Sequence, residues 1–297
     1  MVDTLCKNAI IKNLDLRDNH LRGVEAIIEA INKKIMPISL DLSWSGLKLE
    51  EVKILEYVLC KFTTITSLDL TWNKLGCERG KLIADVLSKN STLTHLNLEN
   101  NHIRSEGGKA LADALCKNST LTSLNLRKAL ADALCKNSTL TSLYININNI
   151  GPIGGEMLAD ALCKNSTLTS LNLIYNNLGL EGGKALANAL FKNSTLTSLN
   201  LARNKLGQEG GKALADAISK NTTLTSLNLG LNNLESGGGN ALADALYKNT
   251  TLTSLNLYDN NLGSEGGKTI ADVLCKNSIL KKLDLSWMIL DQKEEKR

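Results

Sequence analysis

Leucines spaced three, two and five apart recur along the chain, and each set is followed by a stripe of alanine and leucine. In the unit Leu168–Thr195 the set is Leu168, Leu171, Leu173 and Leu178, with Asn176 before the last. Leu171 and Leu173 are two apart, so both fall on one face of a short strand while Asn172 points the other way. The chain then turns at Asn176 and Asn177 and passes Gly179 and the pair Gly182-Gly183. In the segment that follows, Ala185, Leu186, Ala189 and Leu190 make one apolar stripe on a helix. Glu181 near the start of that helix and Lys192 near its end suit the helix dipole. The pattern predicts strand, turn and helix, in that order, between Leu168 and Thr195.

Nearly all of the chain repeats this unit. Strand anchors run from Ile11 and Pro37 through Ile65, Leu93, Leu121, Leu140 and Leu168 to Leu280, and most steps match the one from Leu168 to Leu196. One unit cannot fold alone. A buried leucine contributes roughly 1.5–3 kcal/mol, and each ordered residue costs about 1–2 kcal/mol of backbone entropy. Stacking shares the core between neighbours. The expected architecture is an α/β solenoid, an open horseshoe with parallel strands concave and helices convex. It forms a single domain over residues 1–297, with about ten repeats.

Within it, the unit at 121–139 is much shorter than its neighbours, because the next anchor, Leu140, follows Leu121 early. Arg127 and Lys128 alone separate Leu126 from the helix alanine Ala129. Three extended steps reach roughly 11 Å, so either the first helical turn unwinds or the strand is lost. A local irregularity is expected at 127–139, joining two regular arcs. The first residues resemble the helix end of a repeat, which suggests a chain that starts inside one. The last repeat holds Met288 in place of the turn asparagine and ends in a mixed-charge tail.

Asn176 has equivalents at Asn19, Asn73, Asn101, Asn148, Asn204, Asn232 and Asn260. A buried amide needs partners, so each is expected to bond the backbone of its own turn and the next as a structural ladder. The segment L-x-x-L-x-L-x-x-N-x-L, with one strand and one helix in each period, resembles leucine-rich repeats of the ribonuclease-inhibitor type. It resembles those of NOD-like receptor C-terminal regions and Ran GTPase-activating proteins. The resemblance implies a non-catalytic protein-binding scaffold, regulatory or signalling. The alternative it implies is a GTPase activator of the Ran type, although those carry an acidic tail after the repeats.

Composition excludes several classes. No run of 18 apolar residues exists, so no membrane span is expected. The first residues lack a basic segment followed by an apolar one, and a cytoplasmic location is expected. A net charge of +4 over 297 residues does not by itself call for nucleic acid. Cys6, Cys60, Cys116, Cys135, Cys163 and Cys275 share one repeat position that elsewhere holds Ser88, Phe191, Ser219 or Tyr247. Such a slot is neither a metal nor a catalytic site, so reduced thiols and no metal are expected.

The stretch 263–269 resembles a phosphate loop, but only three residues separate Gly263 from Gly267-Lys268 where four are required. No nucleotide or other cofactor is expected. His20, His95 and His102 lack an accompanying acid or nucleophile and are expected at the surface. The N-x-S/T triplets at Asn90, Asn118, Asn137, Asn165, Asn193, Asn221 and Asn249 are expected as plain loops between helix and strand. On the helices, Lys109-Asp113-Lys117 and Lys212-Asp216-Lys220 alternate charge at i, i+4.

Two features remain for function. The residue between the strand leucines is Asp15, Asp41 and Asp69 early on, then mostly asparagine. That ladder is too uniform to distinguish one part of the arc from another. The two slots after each strand vary instead, and they hold all three tryptophans. Exposed aromatics and arginines anchor protein interfaces. The expected partner-binding residues are Trp44, Trp72, Tyr175, Arg203, Tyr258, Asp259 and Trp287, facing a protein partner on the concave side. The competing expectation is that these rings pack over the strand ends as cover.

Overall fold

Strands of three residues form around the first leucine of each pair, and the second leucine is buried just beyond the strand end, as Leu171 and Leu173 show. The structure is a computed structural model that describes residues 12–19, 37–61, 63–103, 105–125, 131–147 and 150–287. Cys6, His20, Arg127, Lys128, Asn148, Met288, the opening segment and the charged tail lie outside the described residues. Contacts divide the chain into two compact units, Met1–Tyr144 and Ile145–Arg297.

The first unit contains strands β1 (Asn13–Asp15), β2 (Ser39–Asp41), β3 (Ser67–Asp69), β4 (His95–Asn97), β5 (Ser123–Asn125) and β6 (Ser142–Tyr144). Its described helices are α1 (Leu49–Lys61), α2 (Gly76–Lys89), α3 (Ser105–Leu115) and α4 (Ala131–Lys136). The second unit contains β7 (Ser170–Asn172), β8 (Ser198–Asn200), β9 (Ser226–Asn228), β10 (Ser254–Asn256) and β11 (Lys282–Asp284). Its helices are α5 (Gly151–Leu162), α6 (Gly179–Lys192), α7 (Gly207–Lys220), α8 (Glu235–Lys248) and α9 (Gly263–Leu274).

In both units consecutive strands pair in parallel without a register slip. Leu40 faces Leu68, and Leu171 faces Leu199. The middle leucine of each of these strands is buried, and the flanking residues look outward. In the short unit the strand β5 is kept, and six residues of α4 are described.

Helix burial is broader than one stripe. On α6 the buried residues are Gly182, Gly183, Leu186, Ala187, Ala189 and Leu190. Ala185 is only half-buried, and Ala187 takes its place in the core. The helix packs against a neighbouring helix on each side, so its buried arc widens. Gly211 is one point of close approach: an added Cβ would stand 3.0 Å from Leu234 Cδ2.

The turn asparagines form the expected ladder, but toward the preceding repeat. Asn204 is fully buried. Its amide donates to Leu201 O of its own strand at 2.9 Å and to Leu173 O of the preceding one at 2.8 Å. Its oxygen accepts from Asn176 N, also in the preceding repeat, at 3.0 Å. Asn73, Asn101, Asn232 and Asn260 repeat the donation to the preceding strand. The carbonyl they meet lies where the three-residue strand has ended, so the side chain supplies a partner the sheet does not.

A second ladder joins the helices. The asparagines of the N-x-S/T triplets are not plain loop residues; Asn90, Asn118, Asn193, Asn221 and Asn249 are buried. The amide of Asn221 donates to Leu190 O at the end of the preceding helix, at 2.8 Å. Its oxygen accepts from Thr223 N at 3.0 Å and Leu224 N at 2.7 Å. Helix ends leave such carbonyls without an internal partner, and this ladder supplies one. Thr223 Oγ1 adds a bond to Leu196 O at 3.2 Å.

On the helix surfaces Lys220 pairs with Asp216 at 3.3 Å, whereas Lys212 turns to Glu209 at 2.7 Å. The second of these is an i, i+3 pair rather than the expected i, i+4 one. Both are exposed pairs of the kind worth little stability.

Candidate partner-binding surface

The surface is built from the strand outward. Where a strand ends in Asp or Asn, that residue has a structural task, because its side-chain oxygen accepts the N–H two residues on. Asp41 Oδ1 takes Ser43 N at 2.9 Å, and Asp69 Oδ1 takes Thr71 N at 2.8 Å. Asn200 and Asn256 do the same for Ala202 and Tyr258, at 3.1 and 2.9 Å. This Asx bond turns the chain out of the strand.

The following residue, the second variable slot, adopts the left-handed region throughout. Its φ is 61° at Trp44, 60° at Trp72, 58° at Tyr175, 57° at Arg203, 49° at Asp259 and 59° at Trp287. Asp18, Asn100, Ile147 and Leu231 occupy the same slot with φ between 55° and 59°. L-residues other than Gly, Asn and Asp enter this region at a cost. The slot is held there because its N–H donates to the neighbouring repeat: Trp44 N to Thr71 O at 2.9 Å, Tyr175 N to Ala202 O at 3.0 Å.

The side chains at this slot are mostly solvent-facing. Trp44 is 53% exposed, Trp72 42%, Tyr175 49% and Trp287 74%. Arg203 is exposed, and Asp259 is half-buried. Tyr258 is different. It sits in the first slot, outside the left-handed region, and is half-buried.

In the first unit two of these residues meet. The rings of Trp44 and Trp72 stack with centroids 4.5 Å apart and planes 13° from parallel. In the second unit Tyr175, Arg203, Asp259 and Trp287 belong to separate repeats, and no ring contact joins them among the described residues.

Charge is uneven along the strand faces. Asp15, Asp41 and Asp69 end three adjacent strands of the first unit, whereas β7 to β10 end in asparagine. Arg17 lies on this row. Its Nη2 is 2.7 Å from Asp15 Oδ2, and its Nε is 3.4 Å from Asp41 Oδ2. The hydrogen bond from Arg17 holds the Asp15 carboxyl below its ordinary pKa, and the same bond raises that of Arg17. Beyond Asp69 an open concavity of about 330 Å³ is lined by Ser67, Asp69, His95, Asn97, Ser123 and Tyr144.

The strand–turn–helix period and the asparagine ladder meet in a family comparison. A leucine-rich repeat family model matches residues 63–78, 89–112 and 136–159. The chain is a leucine-rich repeat protein. With helices alternating with strands among the described residues, its repeats are of the ribonuclease-inhibitor type.

A second family, the TMOD/LMOD leucine-rich domain, matches residues 175–296. Among solved structures, the leucine-rich repeat-containing protein LegL7 from Legionella pneumophila is similar over 91% of this chain and 89% of its own. It is 23% identical, with a TM-score of 0.61. A Bacteroides fragilis protein is similar over 90% of this chain and 82% of its own, at 16% identity and a TM-score of 0.57. Actin-binding site 2 of leiomodin-1 aligns with 50% of this chain and 90% of its own, at 26% identity and a TM-score of 0.43. No curated protein matches the chain significantly.

In this leucine-rich repeat protein, no helix among the described residues is long and apolar enough to cross a membrane. The second asparagine ladder and the left-handed slot both escaped the sequence reading. The signal for the slot was a column that mixes Asp18, Asn100 and Asp259, which tolerate φ above zero, with aromatics.

Proposed function

We propose that this protein is a non-catalytic scaffold that binds a protein partner on its strand faces through the variable slots after each strand. The observation that carries the reading is the Trp44–Trp72 stack, two large rings kept exposed in a backbone conformation that suits neither. The fold sets this backbone in every described repeat, and tryptophan is a costly residue for it, so the choice of exposed rings points to function rather than to packing. Tyr175, Arg203, Tyr258, Asp259 and Trp287 extend the same slots in the second unit. Aromatic and arginine side chains on an extended repeat surface are the usual energetic anchors of an interface.

The test is affinity capture with the wild type and with a Trp44, Trp72, Tyr175, Tyr258→Ala variant. Loss of partners in the variant supports the reading. Recovery of the same partners in the same amounts sinks it.

One partner can be named for a first assay. Residues 175–296 carry the TMOD/LMOD family match, and the leiomodin-1 domain compared above is an actin-binding site. Co-pelleting of the full chain with actin filaments checks this. The chain pellets with actin if the partner is shared, and a chain that stays in the supernatant rules actin filaments out.

A further inference from the structure

Two positions of the first unit depart from what the fold requires, and they depart on the same repeats. Where an Asx bond closes the strand, the residue ending it needs only an oxygen for that bond. Asn97 supplies one to Glu99 N, and Asn172, Asn200, Asn228 and Asn256 do so in the second unit. A neutral amide therefore suffices for that bond, yet β2 and β3 end in Asp41 and Asp69; the second oxygen of Asp69 accepts from Asn97 Nδ2 at 3.0 Å. The left-handed slot suits asparagine or glycine, yet these two repeats carry Trp44 and Trp72. Carboxylates and exposed indoles coincide on two repeats whose backbone turn requires neither.

Arg17 shows what the acidic row accepts. Its guanidinium spans Asp15 and Asp41 across β1 and β2. The equivalent residues after β2 and β3 are Ser43 and Thr71, which carry no charge. Asp41 and Asp69 are register partners on adjacent strands. Among the described residues no basic side chain forms an ion pair with Asp69. A cation placed here would be drawn by the two carboxylates and by the π faces of the indoles. The chain as a whole is basic, with a net charge of +4, so the acidic row is a local feature.

We infer that the strand face of the first unit binds a lysine- or arginine-bearing segment of a partner, with its cation at Asp41 and Asp69 and its side chains against the Trp44–Trp72 stack. The inference rests on the scaffold reading above and names the chemistry of the occupant. The concavity beyond Asp69 gives the segment room to continue toward Tyr144.

The test titrates the full chain with a labelled octa-arginine peptide, with octa-glutamate as the comparison, and reads peptide anisotropy. Octa-arginine binds and octa-glutamate does not. Affinity falls at least tenfold in D41N/D69N, which keeps both Asx oxygens, and in W44N/W72N. It stays within twofold in E78Q/E106Q, which removes exposed charge from the helices. Absence of octa-arginine binding, equal binding of the two peptides, or equal losses in all three variants overturns the inference. If the peptide fails while partner capture still depends on the tryptophans, the cationic occupant is wrong and the scaffold stands. If capture does not depend on the tryptophans, the scaffold reading fails, and the occupant with it.

Discussion

Trp44 and Trp72 stack 4.5 Å apart although they belong to successive repeats and both hold φ near 60°. Replacing both with asparagine removes a stack worth about 0.5–1.5 kcal/mol. It also relieves strain of about 1–2 kcal/mol at each slot. The urea unfolding midpoint of W44N/W72N is expected to equal or exceed that of the wild type. A loss of more than about 2 kcal/mol would mean that the rings serve as cover for the strand ends.

The buried asparagines behave oppositely. Asn204→Ala removes the acceptor of Asn176 N and takes one of two amide donors from Leu173 O and from Leu201 O, which keep Asn176 and Asn232. Each buried group left unsatisfied costs about 1–3 kcal/mol. Asn221→Ala does the same at the helix end. Both variants are expected to lower the unfolding midpoint clearly. An unchanged midpoint for either would remove that ladder from the account of stability.

Glu235 occupies a position where other repeats place glycine, with φ of 56° against 67° at Gly207. Glu235→Gly gives up an exposed bond from Asn233 and relieves strain of about 1 kcal/mol. A Cβ added at Gly207 would meet nothing within 4 Å, so Gly207→Ala isolates the backbone cost. The first change is expected to stabilise and the second to destabilise, as read by thermal unfolding.

Arg17 depresses the pKa of Asp15 through a direct hydrogen bond. A carboxyl depressed in the folded state contributes stability above its unfolded pKa and loses it as pH falls through the folded value. The window therefore lies below the ordinary aspartate range. Arg17→Gln is expected to move the Asp15 titration, followed by carboxyl NMR, back up toward that range. An unmoved titration would show that the ion pair does not persist in solution.

The repeat was legible because its signals are periodic. Strand leucines, the helix stripe and the turn asparagine recur at fixed spacing, and burial reads directly from that. The second asparagine ladder was not legible in this way, since N-x-S/T looks like any polar loop until the preceding helix end is placed beside it. The left-handed slot was hidden for another reason. Trp44 and Trp72 are residues that do not announce φ above zero, and only their column neighbours do. The acidic row was visible and set aside, because aspartate and asparagine share the structural task; the charge is what differs.

The most direct test of the central claim measures the affinity of a captured partner for the wild type and for W44N/W72N, alongside their unfolding midpoints. The account predicts at least a tenfold loss of affinity, about 1.4 kcal/mol or more, with the midpoint unchanged or raised. Undiminished affinity in a stably folded double variant would contradict it.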